Sequence, residues 1–338
     1  MQFNKLFQKI YNGRNLDAHE ATRAFKSIMS GKINNSELAA FLVTLSLKGV
    51  SSAELLSAVK VIRSKSTKIK SSSNIVDTCG TGGDKKNTLN ISTATAILAA
   101  ASGVKVAKHG NKSVSSKSGS SDVLDKLGVN INSPIKSVEK SLSLIDLCFL
   151  MAPLYHKAMK NVAEVRALLK VPTIFNILGP LLNPANAKIQ LIGVYSKDWL
   201  IPIANCLKEL KIKRAWIVNG QDGLDEITTT CNTNVIEVYK GNLKSFKINP
   251  VKLGIKKIKL EEIKGKTASY NANQIIKLFS NKSSNKAYED IVVLNTAAVL
   301  VIAGKCKSLK EGIALSRKNI INGNAQKKLI DLRRLSNL

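Results

Sequence analysis

The sequence is poor in the residues that usually build metal centres and disulfide frameworks. It has three histidines and five cysteines in 338 residues, the cysteines being Cys79, Cys148, Cys206, Cys231 and Cys306. The cysteines are odd in number and widely spaced, and no CxxC pair occurs. A structural zinc site or a set of disulfides is therefore not expected, and a reducing cytoplasm fits the pattern.

Long apolar segments are also missing. No run approaches the roughly 20 residues that span a membrane. The first fifteen residues, MQFNKLFQKIYNGRN, have neither the apolar core nor the small-residue cleavage site of a signal peptide. We therefore expect a soluble protein that is not exported. Hydrophobic residues at 44% and charged residues at 22% are ordinary globular values, which excludes disordered and fibrous chains.

Acidic residues are few: 23 Asp and Glu stand against 52 Lys and Arg, a net charge of +29. Such an excess can mark a protein that binds nucleic acid or a membrane surface. Here most of the basic residues are lysines spread over the whole chain, with no basic tail or stripe, which favours a compositional bias. We expect no membrane partner, and we expect any nucleic-acid binding to be non-specific and to weaken steeply with salt.

Residues 1–65 show the periodicity of helices. In LDAHEATRAFKSIMSG, SELAAFLVTLSLKG and SSAELLSAVKVIRSK, apolar residues recur at helical spacing. We predict three short helices, the second capped by Ser36 and stopped by Gly49, the third opened by a capping box of Ser51 and Glu54. The polar stretch 66–73 is predicted to be a linker.

After this stretch, strands and helices alternate. Apolar runs such as NIVDTC, VKVA, LCFLM, KIQLIGVYS, RAWIVNG and NVIEVYKG are separated by helical segments, and residues 287–338 end the chain in helices. This order predicts a mostly parallel sheet flanked by helices. The predicted fold is α/β, with a small N-terminal helical domain (1–65) and a larger α/β domain (74–338).

Two loops that follow predicted strands have the chemistry of anion-binding sites. DTCGTGGD (77–84) is a glycine-rich turn, and Asn90, Ser92 and Thr93 open the next helix, where the dipole favours phosphate. Its spacing is neither a Walker A loop nor GxGxxG, and a tight turn capped by Asn and Ser is an equal alternative. The loop KHGNKSVSSKSGSSD (108–122) combines lysines with serines, which favours anion binding over a flexible linker.

Two further stretches suggest a metal site and an aromatic pocket. Asp225 and Glu226 follow a predicted strand, where open α/β sheets bind ligands, and adjacent carboxylates are a candidate magnesium site. For this stretch alone, a surface turn capping a helix from Ile227 is favoured. His156 and Arg166, with Met159 and Pro180, would line an apolar pocket that suits a small aromatic carboxylate.

In this order and spacing, these stretches resemble the anthranilate phosphoribosyltransferases of tryptophan biosynthesis. The resemblance is carried by DTCGTGGD, NIST, KHGNKSVSSKSG, VRALLK with TIFNILGPLLNP, and GLDEI; AFLVTLSLKG and DIVVLNTAAVLVIAG extend it over nearly the whole chain. It implies a nucleoside phosphorylase-like phosphoribosyltransferase fold, with helices from about 155–185 joining the helical domain, and a homodimer through that domain. It also implies transfer of the phosphoribosyl group of phosphoribosyl pyrophosphate to the amine of anthranilate, with release of pyrophosphate.

The resemblance further assigns site residues. Those expected to bind phosphoribosyl pyrophosphate are Gly80, Gly83, Asp84, Thr88, Asn90, Ile91, Ser92, Thr93, Lys108, His109, Gly110, Asn111, Lys112, Ser113, Val114, Ser115, Ser116 and Ser120. Those expected to contact anthranilate are Gly80, Asn111 and Arg166, with His109, His156, Met159 and Pro180 nearby. Ser92, Asp225 and Glu226 are expected to hold two Mg²⁺ ions per subunit. No general base is assigned; Lys108 and the metal site are expected to stabilise the transition state.

The sequence departs from the family pattern at two positions. Asn219 stands where the family usually has His before a glycine, and Pro172 stands where Arg often precedes Thr-hydrophobic-Phe-Asn. These departures concern the tuning of the pocket and not the reaction class.

Two other functions are compatible with this architecture or charge. A pyrimidine-nucleoside phosphorylase shares the architecture, but its KxSGR and TGGT-type signature is absent. A nucleic-acid-binding relative of the same fold would suit the charge, yet Asn111, Arg166 and the FNxLGP stretch are intact.

Overall fold

The computed structural model describes residues 3–71, 74–112 and 118–338. The helices are α1 Phe3–Tyr11, α2 Ala18–Met29, α3 Asn35–Lys48, α4 Ser52–Lys65, α5 Ile91–Ala101, α6 Ser120–Lys126, α7 Ile135–Ile145, α8 Ala152–Tyr155, α9 Lys160–Leu169, α10 Phe175–Leu178, α11 Leu200–Glu209, α12 Ala268–Phe279, α13 Lys286–Ile302, α14 Leu309–Ile321 and α15 Asn324–Ser336. The strands are β1 Val76–Gly80, β2 Val106–Gly110, β3 Leu147–Met151, β4 Ile189–Gly193, β5 Arg214–Gly220, β6 Thr233–Tyr239 and β7 Asn242–Ile248.

Helices α1 to α4 form a bundle around buried apolar side chains, with the rings of Phe25 and Phe41 edge to face at 6.2 Å. The predicted capping box of α4 and the stop of α3 at Gly49 are confirmed. The prediction of Ser36 as N-cap is wrong, because α3 begins earlier and the side chain of Asn34 accepts the Glu37 N–H at 2.9 Å. Helix α1 was missing from the predicted set of three.

The described residues contain a seven-stranded sheet in the order β3-β2-β1-β4-β5-β6-β7. Strands β1 to β5 are parallel, while β6 and β7 are antiparallel. This confirms the predicted α/β fold with a mostly parallel sheet. Strand β7 was not predicted, because it is a polar, mostly exposed edge strand without alternating apolar and polar residues.

The order of the strands reverses at β1, which has β2 on one side and β4 on the other. In open α/β sheets, ligands bind outside the carboxyl ends of the strands at such a reversal. The glycine-rich stretch 77–84 begins in β1 and continues past its end, so the topology places it at this position.

The sheet is covered on both faces. Helices α5 and α12 to α15 contribute to one large apolar core, and α11 and the bundle contribute to the other. Helix α13 is buried at nearly every position and packs against α5, α14 and β4. Among the described residues, every helix falls short of the length and hydrophobicity needed to cross a membrane.

Segment 155–185 contacts the helical bundle at several points. Helix α9 packs against α2 and α3. In α4, Arg63 Nε donates to the Leu181 carbonyl at 2.7 Å, and the Thr67 N–H beyond it donates to the Tyr155 carbonyl at 2.9 Å. These contacts favour assigning the segment to the helical domain, and the boundaries at 65 and 74 stay predictions.

Candidate active site

A cavity of about 550 Å³ lies beyond the carboxyl ends of β1, β2 and β5. It is lined by every described residue that was assigned to phosphoribosyl, anthranilate or metal binding: Gly80, Gly83, Asp84, Thr88, Asn90, Ile91, Ser92, Thr93, Lys108, His109, Gly110, Asn111, Lys112, Ser120, Arg166, Asp225 and Glu226. Ser113, Val114, Ser115 and Ser116 lie outside the described residues. Folding therefore brings together stretches that are far apart in the chain.

Glycines let the acidic loop approach the sheet closely. A Cβ atom at Gly80 would overlap the Asp225 carboxylate, and one at Gly193 would overlap the Asp225 carbonyl. Gly82 has a positive φ of 66°, and its N–H donates to Asp225 Oδ2 at 2.7 Å. The glycine-rich turn and the acidic loop thus form one wall of the cavity.

Three carboxylates meet at this wall, in a chain with few acids. Burial raises the pKa of Asp225 to about 7, and the nearby charge of Asp84 contributes to the increase. Burial also raises the pKa of Glu226 to about 8, and repulsion from the charge of Asp225 adds to the increase. The pKa of Asp84 is raised by burial as well.

A divalent cation fits this cluster, because it would remove the electrostatic cost of ionising buried, mutually repelling carboxylates. Within the described ranges, no group of three or more His, Cys, Asp or Glu side chains is arranged to hold a metal ion. Magnesium is commonly bound through one or two carboxylates together with substrate phosphates and water. Asp225 and Glu226 therefore suit an ion that arrives with a phosphorylated substrate.

The raised pKa values predict that the metal-free protein loses stability as the pH rises from about 6.5 to 8. Asp225 and Glu226 keep protons in the folded state that the unfolded chain has already released near pH 4 to 5. Stability therefore falls with rising pH from the unfolded pKa values upwards and levels off once the pH exceeds the folded values of about 7 and about 8. Thermal melts over this range, without divalent ions, measure the effect.

The matched control for the pH experiment is the variant Asp225→Asn with Glu226→Gln, which lacks the two titrating carboxyl groups and should not show this fall. The two buried histidines act in the opposite sense: burial lowers the pKa values of His109 and His156 to about 3 and about 4, so only the unfolded chain binds their protons near pH 6.5. The comparison with the control variant removes this contribution. A wild-type melting temperature that rises with pH would contradict the prediction.

Lys108 places a buried ammonium group beside the acidic wall. Its Nζ donates to the Thr78 carbonyl at 2.7 Å and to Ser92 Oγ at 3.2 Å. Its charge lowers the pKa of both Asp77 and Glu226, against the larger effect of burial. A fixed cation here is suited to a negatively charged ligand at the N-terminus of α5.

The end of the cavity that holds Arg166 also has the apolar side chains of Ala163, Phe175 and Leu182. Its guanidinium lies 5.6 Å from the centre of the Phe175 ring, and burial lowers its pKa. No carboxylate in the described residues forms an ion pair with it. A half-buried, unpaired guanidinium beside an aromatic ring suits a ligand that has both a carboxylate and a ring.

Two histidines complete this end of the cavity. The rings of His109 and His156 are edge to face at 5.2 Å, and His109 Nδ1 is 3.0 Å from the Gly179 carbonyl. Because burial lowers both pKa values to about 3 and about 4, the two imidazoles are neutral near pH 7. Arg166 is then the half-buried cation beside the two imidazoles, and the histidines act as polar aromatic walls.

The sequence did not indicate several residues that line the cavity, and it indicated one residue, Pro180, that does not line it. Phe175, Asn176, Lys157 and Lys160 line the cavity; the first two lie in the quoted TIFNILGP stretch, which was their available signal. Met159 lines the cavity as expected, whereas Pro180 lies behind it, with its carbonyl accepting from Gln190 Nε2 at 2.7 Å.

Two local alternatives are wrong. Asn90 stands at the N-cap of α5 but does not cap it; its Nδ2 donates to the Ser118 carbonyl at 3.3 Å instead. No helix begins at Ile227 in the described chain, because residues 221–232 are irregular. Asp222, not the acidic pair, closes that loop by accepting the Leu224 N–H at 3.1 Å.

Comparison with known proteins gives a consistent result. The model of the glycosyl transferase family a/b domain matches residues 72–326, and that of the family's helical bundle domain matches residues 4–66. The chain is 46% identical over 336 residues to an anthranilate phosphoribosyltransferase of Petrotoga mobilis, covering 99% of this chain and 97% of the relative. It is 44% identical to that of Clostridium kluyveri, covering 99% of both chains.

Solved structures agree. The anthranilate phosphoribosyltransferase of Thermus thermophilus superposes with a TM-score of 0.91 at 36% identity, covering 98% of this chain and 99% of the other. The enzyme of Saccharomyces cerevisiae in complex with phosphoribosyl pyrophosphate and Mg gives a TM-score of 0.91 at 27% identity, covering 99% and 98%.

Proposed function

Because this chain belongs to the anthranilate phosphoribosyltransferases, we propose that the cavity beyond β1, β2 and β5 is its active site. The enzyme transfers the phosphoribosyl group of phosphoribosyl pyrophosphate to the amine of anthranilate, giving N-(5-phosphoribosyl)anthranilate and pyrophosphate. This is the second step of tryptophan biosynthesis from chorismate. The observation that carries the site assignment is the division of one cavity into an anion-binding end and an aromatic end.

The anion-binding end would hold phosphoribosyl pyrophosphate. Gly80, Gly83 and the start of α5 present backbone N–H groups, and Lys108 adds a buried positive charge. Further donors would come from the remaining residues assigned by resemblance: Thr88, Asn90, Ile91, Ser92, Thr93, His109, Gly110, Asn111, Lys112 and Ser120. The loop 113–116 is proposed to contribute as well, on its sequence alone.

Magnesium is the cofactor that this end would take. Ser92, Asp225 and Glu226 would hold it, at two ions per subunit, and Asp84 lies beside them. When bound, it supplies positive charge that stabilises the developing charge of the pyrophosphate leaving group. The yeast relative solved with phosphoribosyl pyrophosphate and Mg supports this assignment.

The aromatic end would hold anthranilate. Arg166 would bind the carboxylate through two parallel hydrogen bonds, and Phe175 and the neutral histidines would pack against the ring. Gly80 and Asn111 line the same cavity and would contact both substrates. The yeast relative solved with 4-fluoroanthranilate supports a ring-binding site in this fold.

The reaction asks the protein to position two substrates and to stabilise a leaving group. The aromatic amine is mostly neutral near pH 7, so its lone pair is available without a strong base. The C1–O bond to pyrophosphate breaks as the amine attacks C1 from the opposite face, which inverts that carbon and leaves the electrons of the broken bond on pyrophosphate. The nitrogen, now bonded to C1, then loses one proton to water or to the released pyrophosphate. Lys108 stabilises this charge, and the enclosed cavity limits attack by water on the oxocarbenium-like sugar.

A fluorescence assay tests the proposed function directly. Anthranilate fluorescence should fall on mixing the protein with anthranilate, phosphoribosyl pyrophosphate and magnesium chloride, and it should stay constant when any one is omitted. Pyrophosphate should appear in equal amount. A full set of components with no loss of anthranilate would contradict the proposal.

We further propose that the chain forms a homodimer through its helical domain. Three large apolar side chains are exposed on α3, on α9 and just after α9. Leu47 is 84% exposed, Leu168 is 70% exposed and Val171 is 50% exposed. Helices α3 and α9 pack on each other, so these side chains lie on adjoining elements. An apolar surface of this kind favours a partner that covers it.

The variant Leu47→Lys with Leu168→Lys is expected to shift the protein towards a monomer, because it places charges in the proposed interface. Sedimentation velocity measures the change. The control Ile330→Lys alters a 57% exposed side chain on α15 and should leave the oligomeric state unchanged. Identical sedimentation of all three proteins would remove this surface as the interface.

We also propose a cytoplasmic location. All five cysteines lie in the described residues, and each is free. Free thiols in this number are typical of a reducing compartment.

A further inference from the structure

We propose that Asn295, in the buried helix α13, is a positioning residue for the acidic pair Asp225 and Glu226. The inference rests on the proposed function, since it concerns the magnesium-binding role of that pair. It assigns to a side chain outside the cavity lining the task of holding the metal-binding loop in place.

The contacts of Asn295 connect α13 to the acidic loop. Its Oδ1 accepts the Ile227 N–H at 3.0 Å, and its Nδ2 donates to the Ile227 carbonyl at 2.8 Å. The same Nδ2 donates to the Ile291 carbonyl in its own helix at 2.8 Å. One amide side chain therefore holds both backbone groups of the residue that follows Glu226.

The surroundings of Asn295 give this contact its significance. The side chain is 0% exposed in a helix whose buried face is made almost wholly of apolar residues. A buried amide is costly unless its hydrogen bonds are made, and a leucine would suit the helix better. The benefit of an asparagine here lies outside the helix, at the backbone of Ile227.

The acidic loop gains a contact that its other hydrogen bonds do not supply. Residues 221–232 have no regular secondary structure in the described chain, and the bonds that Thr228 makes to Asp222 and Thr233 do not reach Glu226 or Ile227. Adjacent carboxylates also repel each other until a cation arrives. The Gly82 N–H holds Asp225 on one side of Glu226, and Asn295 holds Ile227 on the other. Glu226 is thereby fixed against a long, rigid, fully packed helix.

The variant Asn295→Leu keeps the size of the side chain but leaves both Ile227 backbone groups unpaired. We expect it to weaken magnesium binding, measured by calorimetry with magnesium chloride in the presence of phosphoribosyl pyrophosphate, by about tenfold, the usual effect of losing a group that orients a metal ligand. Excess magnesium should restore most of kcat. A change below about twofold would overturn the proposal.

The matched control is Thr296→Val. Thr296 is the next residue of α13, is equally buried, and its hydroxyl bonds only to the Val292 carbonyl of the same helix. This variant should bind magnesium within about twofold of the wild type. If it weakens magnesium binding as much as Asn295→Leu does, the effect belongs to the helix in general, and the proposal fails.

Hydrogen exchange keeps the test valid even if Asn295→Leu does not fold. In the wild-type protein the Ile227 amide should exchange as slowly as amides in the middle of α13; exchange at the rate of exposed loop amides would overturn the proposal. The variant Asp225→Asn with Glu226→Gln separates the two hypotheses. If this double variant binds magnesium like the wild type, the proposed metal site is wrong. If the double variant loses magnesium binding while Asn295→Leu binds magnesium like the wild type, only the positioning role of Asn295 is wrong.

Discussion

Transfer activity is expected to collapse when Asp225 is changed to Asn and Glu226 to Gln together. The two changes keep the shapes of the side chains and remove two negative charges. If the pair holds magnesium, the leaving pyrophosphate loses its main source of charge stabilisation. Each single variant should be partly restored by higher magnesium, because one carboxylate remains to bind it.

The thermal stability of the double variant should not fall with its activity. The two acids are buried, and their pKa values are raised by that burial and by their repulsion. Near pH 8 the double variant should therefore melt at the same temperature as the metal-free wild type or higher. A group that served to hold the fold together would show the reverse, a lower melting temperature with activity retained in the cold.

Magnesium titrations and thermal melts of the two single variants and the double separate these outcomes. The control Asp198→Asn removes a carboxylate from an exposed position outside the cavity and should leave activity and magnesium requirement unchanged. Full activity in the double variant, with an unaltered magnesium requirement, would remove the metal assignment.

The positions of the glycine-rich turn and the acidic pair could be predicted, because both follow strands of a parallel sheet. The stretch 77–84 and the acidic pair each follow an apolar run, and parallel strands bring their carboxyl ends to one edge. Their meeting at a single cavity follows from that geometry. The capping box of α4 was equally readable, since Ser51 and Glu54 form it within one turn.

Features that depend on distant side chains could not be predicted in this way. Asn295 bonds to Ile227 across 68 positions, and Phe175 lies under Arg166 after a change of chain direction. The spacing of apolar residues along the sequence does not indicate contacts of this kind. The N-cap of α3 was predicted wrongly for a more local reason. Asn34 and Ser36 are both good capping residues, and the choice between them depends on where the backbone turns.

Arg166, the half-buried cation beside Phe175, gives the second large expected effect. Arg166→Ala is expected to raise the KM for anthranilate by roughly tenfold to a hundredfold, and to change the KM for phosphoribosyl pyrophosphate little. The expected cost is about 1.5–3 kcal/mol, typical of a hydrogen bond to a charged group. Alanine cannot replace two parallel bonds to a carboxylate, and Phe175 would lose the cation that now lies over its ring.

Steady-state kinetics with each substrate varied in turn measures the effect. Arg166→Lys should fall between the wild type and the alanine variant, because it keeps the charge and loses the planar pair of donors. Lys170→Ala, at a position just past the same helix and outside the cavity lining, is the control for a general loss of positive charge. If Arg166→Ala weakens both substrates equally, its guanidinium holds α9 and the Phe175 segment together and does not select the carboxylate.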